Sequence, residues 1–329
     1  MLRKRYRLLA AAAVLTLATA GPAVARGEYR AHPTGEASAS SMPGMDMSHG
    51  DSGSSQSSSP MTAVHGTAAY FRANLTGNQE VQVAGKPRVG DPDGHATALV
   101  TLKGNRITFA FQWQNISAPT LGHIHQGTAG VNGDVKVPLF TTPMPDTVHA
   151  AAGQVAVDDP QLAESLRSHP SDFYLNLHTK EFPGGAVRGQ LIPVRHRVNP
   201  LDIINGTHLL ALADGGQEVK VPGKKVGDPD GHAIAFVNAH GSSVDYSTAW
   251  VNITAPTFGH IHQGNFGVNG EVKVPLFTSE MPQNIFAVSG TVTGQDPALV
   301  SQIRRQPLGF YFNLHTGEFP DGAVRGQLF

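Results

Sequence analysis

The sequence predicts an all-β chain of two tandem domains, each a sandwich or barrel carrying one short helix. Three observations carry that reading. With 37 Gly and 23 Pro in 329 residues, the chain is cut into short segments, which argues against long helices. The segments between those breaks are rich in β-branched and aromatic residues. Above all, long stretches recur. TLGHIHQGTAGVNGDVKVPLFTTPMP (Thr120 to Pro145) returns as TFGHIHQGNFGVNGEVKVPLFTSEMP (Thr257 to Pro282). FYLNLHTKEFPGGAVRGQL (Phe173 to Leu191) returns as FYFNLHTGEFPDGAVRGQL (Phe310 to Leu328). QEVQVAGKPRVGDPDGHA from Gln79 pairs with QEVKVPGKKVGDPDGHA from Gln217, one residue shorter. Each copy is about 125 residues, the size of a domain, and two copies are too few for a solenoid.

In chain order, the first 25 residues read as a cleaved secretory signal. Arg3, Lys4, Arg5 and Arg7 precede an apolar run from Leu8 to Ala20 and the small-residue site Ala23-Val24-Ala25. The competing reading, an uncleaved anchor, has a short apolar run to work with. The expected location is therefore secreted, periplasmic or cell-surface, with no membrane span after cleavage. Residues 26–65 are rich in Ser, Gly, Met and His and lack the large aliphatics of a core, so they read as a disordered tail. Residues 66–193 form the first domain, 194–206 a linker and 207–329 the second domain. Within the first copy HATALVTLKG, RITFAFQWQN, VKVPLF, FYLNLH and AVRGQL read as strands. The expected helix is DPQLAESLRSHP, with Asp159 as N-cap and Pro160 in the first turn, matched by Asp296 and Pro297.

Charge and cysteine narrow the function. Loss of residues 1–25 leaves 20 basic against 25 acidic side chains, a balance that disfavours a nucleic-acid partner. There is no cysteine, so disulfides and thiolate metal sites, blue copper and Cys-type zinc included, are excluded. No GxSxG or phosphate-loop motif is present.

Four histidines occupy corresponding places in each copy: His95, His123, His125 and His178, then His232, His260, His262 and His315. Strand alternation sends both imidazoles of the His-x-His pair to one face. The same alternation in FYLNLH puts Tyr174, Asn176 and His178 on one side, with Phe173, Leu175 and Leu177 on the other. The expected metal site thus has four imidazole ligands per domain, with Tyr and Asn able to orient them. Imidazole without thiolate suits Cu(II) or Zn(II). Met42, Met45, Met47 and His49 in the tail favour copper, because thioethers suit Cu(I) and serve zinc poorly; the alternative is a low-complexity tail without a role. Arg188 and Arg325 fall on the histidine-bearing face if the strands alternate regularly. Two readings stay open for them: drawing a small anion such as superoxide toward the metal, or pairing with Glu181 or Glu318.

GHIHQGxxGVNGxVKVPLF and YxNLHTxEFPxGAVRGQL resemble the CHRD domain, the module named after chordin and widespread in bacterial exported proteins. The resemblance covers residues 66–193 and 207–329. It implies an all-β, immunoglobulin-like, Greek-key sandwich or barrel and secretion, and it leaves the biochemical role open. Two departures stand out. Ala186-Val187 and Ala323-Val324 replace the Glu-Ile that commonly precedes Arg-Gly-Gln, and His95 and His232 are not required by the family pattern. By analogy the histidine set is also similar to the copper half of copper superoxide dismutases, though neither their zinc loop nor their disulfide is matched.

Three functions compete. The first is an exported copper-binding protein with one multi-histidine site per domain. The second is a copper-only superoxide dismutase using those sites. The third is a metal-free module that recognises a protein or glycan, against which the repeated face offers few exposed aromatic anchors.

Overall fold

The computed structural model describes residues 66–203 and 208–329. The expected signal segment, the tail with Met42, Met45, Met47 and His49, and linker positions 204–206 lie outside them. The first repeat comprises β1 (Ala68–Thr76), β2 (His95–Lys103), β3 (Arg106–Gln114), β4 (Leu121–Gln126), β5 (Val135–Phe140), β6 (Val148–Ala156), α1 (Pro160–Ser168), β7 (Phe173–His178), β8 (Val187–Gln190) and β9 (Ile192–Pro193). The second comprises β10 (Leu209–Asp214), β11 (His232–His240), β12 (Ser243–Val251), β13 (Pro256–Gln263), β14 (Val272–Phe277), β15 (Ile285–Val292), α2 (Pro297–Arg305), β16 (Phe310–Thr316) and β17 (Val324–Gln327). The fold is all-β and antiparallel, with the two expected helices. Asp159 caps α1 by accepting from the Gln161 amide at 2.8 Å, and Asp296 does the same for α2 from Ala298 at 2.8 Å.

In the first repeat β1, β2, β3 and β6 pair in that order, and β5, β4, β7 and β8 make the facing sheet. The segment β8–β9 turns the corner between them, pairing with β7 through β8 and with β1 through Arg188 and β9. The second repeat follows the same plan. Alternation fills the space between the sheets with Phe71, Phe109, Phe111, Ile124, Leu175 and Val187 in the first repeat and Leu209, Tyr246, Ile261, Phe312 and Val324 in the second. Each such side chain contributes about 1.5–3 kcal/mol through burial.

The repeats join edge to edge. β6 pairs with β15 antiparallel, Val148 opposite Gly290 and Gly153 opposite Ile285. Allowing for the 137-residue offset, each of these pairs repeats the other with the partners exchanged, so the seam is a pseudo-two-fold one, with Ala151 opposite its own equivalent Val288. The pairing covers two edge strands that would otherwise be open templates. Leu201 and Ile203 of the linker pack on an apolar cluster of Ala110, Ala152, Ile234, Ala249 and Ala287 that spans the seam, and the Ile203 carbonyl accepts from the Ser289 hydroxyl at 2.7 Å. The linker is therefore in part a cover over the joint. No helix among the described residues is long and apolar enough to cross a membrane.

Candidate metal centre

The outer face of the β5-β4-β7-β8 sheet carries the polar residues that alternation predicts. On β4 these are His123 and His125, on β7 Tyr174, Asn176 and His178, and on β8 Arg188 and Gln190. The register puts His125 opposite Tyr174, His123 opposite Asn176, and Asn176 opposite Arg188. Two loops cover this face, one from Gly127 to Gly133 and one that follows β1 through a short 3-10 turn and brings in Glu80.

His123, His125 and His178 each offer one ring nitrogen, and the three atoms lie within 4.8 Å of one another; His260, His262 and His315 do the same in the second repeat. His123 Nδ1 is 3.4 Å from His178 Nε2, and His260 Nδ1 is 3.3 Å from His315 Nε2. That spacing is long for a hydrogen bond, but it matches the ~3.3 Å edge of a tetrahedron built on ~2.0–2.1 Å metal–nitrogen bonds.

Carbonyl groups fix which nitrogen is free. His125 Nδ1 donates to Gly133 O at 2.9 Å and His178 Nδ1 to Pro183 O at 2.9 Å; the counterparts are His262 to Gly270 O at 3.0 Å and His315 to Pro320 O at 3.0 Å. A carbonyl only accepts, so these nitrogens bear the protons and the Nε2 lone pairs point inward. The Nε2 atoms of His125 and His262 are buried without a partner. Such orphans are costly in a folded protein, and a lone pair so placed is of the kind that can bind a cation. Burial, followed by the repulsion of a charged His178 and then His125, holds His123 at about 4; His260 is likewise held at about 4 by burial and its two neighbours. His125, His178, His262 and His315 are also lowered, chiefly by burial. At neutral pH the imidazoles are therefore neutral and able to donate.

His95 and His232 stand outside these groups. His95 begins β2, in the facing sheet, where it is exposed and its Nε2 meets Gln114 Oε1 at 3.0 Å. The expected four-imidazole set is thus a set of three, because the fourth histidine belongs to the other sheet. Arg188 does share the histidine face, but it is only 1% exposed. Its guanidinium donates to Thr128 O at 2.9 Å, Val131 O at 2.8 Å and Asn132 Oδ1 at 3.2 Å. It also lies 3.4 Å from the centre of the Tyr174 ring, whose other face stacks on His125 at 4.8 Å. Arg325 repeats this arrangement with Asn265, Val268, Asn269 and Tyr311. Both guanidinium groups are committed to a loop rather than turned toward solvent or paired with Glu181 or Glu318. Through the loop they hold the Gly133 and Gly270 carbonyls that orient His125 and His262. Glu80, Glu218 and the Gly127 to Gly133 loop were not singled out in the sequence, although QEV and GVNG recur in both copies.

The CHRD domain family model matches residues 71–191 and again 209–328. No curated protein and no solved structure matches the chain. Two matches in tandem span most of the residues and coincide with the two sandwiches and their histidine triads, so the chain belongs to the CHRD domain family, with two copies of the domain.

Proposed function

We propose that this is an exported metal-binding protein that holds one copper ion per CHRD domain, through His123, His125 and His178 in the first and His260, His262 and His315 in the second. One observation carries the reading. In both repeats a buried imidazole nitrogen, His125 Nε2 or His262 Nε2, has no hydrogen-bond partner, and its ring belongs to a histidine triad whose candidate ligand atoms all lie within 4.8 Å of one another. Three imidazoles with an open fourth position suit Cu(II) and also Zn(II). The Met42, Met45, Met47 and His49 cluster supports copper, since thioethers would capture or deliver Cu(I). Export is supported by the basic, apolar and Ala-Val-Ala succession at the N-terminus.

The chain's own residues would do the following. Gly133 O and Pro183 O hold the ligand tautomers, Tyr174 and Arg188 fix the ring plane of His125, and the surrounding apolar residues keep the imidazoles neutral. Copper supplies a redox-active Lewis acid to that frame.

Elemental analysis and calorimetric titration of the full chain with Cu(II) and Zn(II) test the proposal. The expected result is two tight copper ions per chain and weaker zinc. His125→Ala should remove one ion and His125→Ala with His262→Ala both. Fewer than one tight ion per domain, or unchanged binding in the double variant, refutes it. Superoxide consumption by the copper-loaded chain above that of free copper would add turnover to binding.

A further inference from the structure

We infer that Asn176 and Asn313 are positioning residues that hold a water molecule in the fourth position of each metal site, with Glu80 and Glu218 aiming the amides. The inference rests on the metal-binding reading above and deepens it.

Asn176 is 4% exposed and Asn313 3% exposed. In both, the amide oxygen is buried with no hydrogen-bond partner. The other end of each amide is fixed: Asn176 Nδ2 donates to Glu80 Oε2 at 3.3 Å and Asn313 Nδ2 to Glu218 Oε1 at 2.7 Å. The NH2 group thus faces the glutamate in both copies and the oxygen faces away from it. Space for the glutamate is reserved in both copies. A side chain at Gly185 would come within 2.6 Å of the Glu80 carboxylate, and one at Gly322 within 2.5 Å of that of Glu218.

The sheet decides what lies beside the free oxygen. Asn176 is directly opposite His123 and two residues before His178 on the same face, and it is diagonal to His125 across the β4–β7 ladder. Within the β4–β7 ladder it is therefore the non-histidine side chain flanked by all three histidines, and Asn313 repeats the placement against His260, His262 and His315. An asparagine side chain is shorter than a histidine that binds through its outer ring nitrogen, as His125 and His178 would, so its oxygen would accept a proton of a ligand on the ion rather than bind the ion itself. An acceptor that is buried, oriented and unpartnered selects a neutral ligand with an O–H or N–H bond, for which water is the ordinary candidate.

Electron-nuclear double resonance on the Cu(II)-loaded full chain, in H2O and in D2O, reads exchangeable protons next to copper. The wild type should show a strongly coupled exchangeable proton. In the copper that it binds, Asn176→Leu with Asn313→Leu should lose or shift that signal, while Asn176→Asp with Asn313→Asp, which retains an oxygen acceptor, should keep it. Should the leucine pair fold poorly, the alanine pair, which adds no bulk, must show the same loss. An unchanged signal in the folded leucine or alanine pair, or no exchangeable proton in the copper-loaded wild type, overturns this inference alone. A wild type that binds no copper overturns the metal-binding reading and this inference with it.

Discussion

Glu80→Gln should make the metal-free protein more stable above neutral pH, by an amount that disappears in acid. The Glu80 carboxyl is buried against Asn176 of β7, Arg188 of β8 and the Gly185 turn, and one of its oxygens has no partner. Burial pushes its pKa from 4.5 to about 7, against the opposing pull of the Asn176 hydrogen bond and the Arg188 charge. Between those two values the folded protein keeps a proton that the unfolded chain has released. Stability from this group is therefore fully present below pH 4.5, falls as pH rises, and is gone above about 7. At ~1.36 kcal/mol per pH unit the loss comes to about 3 kcal/mol. Glutamine has the same shape and still offers an oxygen to Asn176, but it carries no charge to desolvate. The buried histidines act in the opposite sense: His123, lowered from 6.5 to about 4, makes stability rise with pH between those values. Only the difference between variant and wild type isolates the glutamate. Urea unfolding followed by the fluorescence of the buried Trp113 and Trp250, with chelator present, supplies that difference from pH 4 to 8. It should grow from near zero at the acid end to about 3 kcal/mol at the alkaline end. A difference that does not change with pH would show that Glu80 stays ionised in the fold and would refute the reasoning.

Three further outcomes are expected. Arg188→Ala strips donors from Thr128 O, Val131 O and Asn132 Oδ1 and should cost about 2–4 kcal/mol in urea unfolding; Arg188→Lys, which cannot span the same acceptors over the Tyr174 ring, should recover less than half of that. Gly133→Ala drives a methyl group into the Gln126 carbonyl and displaces the Gly133 carbonyl that orients His125, so copper affinity at the first site should fall by at least about tenfold in calorimetry while the second site is unchanged. Tyr246→Phe removes the hydroxyl contact to Thr147 across the seam, 3.0 Å long and fully buried on the tyrosine side, and should lower unfolding stability by about 1 kcal/mol without altering metal stoichiometry.

Strand alternation, the internal repeat and helix capping made much of this structure legible in advance. The two-residue period alone sorted FYLNLH into Phe173, Leu175 and Leu177 for the core and Tyr174, Asn176 and His178 for the opposite face, because a strand gives neighbouring side chains no other choice. Pairing between distant strands was not legible. Nothing in GDPDGHA says that β2 lies in the other sheet, so His95 looked like a fourth ligand although it stands apart from the triad. Arg188 was placed on the correct face, but its surroundings depend on the path of the Gly127 to Gly133 loop, which periodicity does not describe. Glu80 enters from a turn after β1 and shows no pattern beyond its return in the second copy. Seam pairing between β6 and β15 is invisible for the same reason: main-chain hydrogen bonds carry it, and any suitably shaped edge can make them.

The strand order explains how a duplication could join the two domains tightly without disturbing either site. In each sandwich one sheet ends in the strand that forms the seam, β6 or β15, whereas the histidines sit on the outer face of the other sheet, on β4 and β7 or β13 and β16. The seam therefore uses a different sheet from the ligands, and each triad draws all three histidines from its own repeat. The surroundings of the two triads have nevertheless diverged. Leu121 next to the first His-x-His pair is replaced in the second by Phe258, 42% exposed, whose ring stacks on His260 at 5.9 Å. Gly184 beside the first triad becomes Asp321, whose negative charge acts on His315. His125 and His178 are buried, while His262 and His315 are more open to solvent. If each triad holds a metal as proposed, identical ligands with unlike exposure and charge around them would give one chain two sites of separately set affinity and exchange rate, because solvent access and nearby charge tune a metal site as its ligands do.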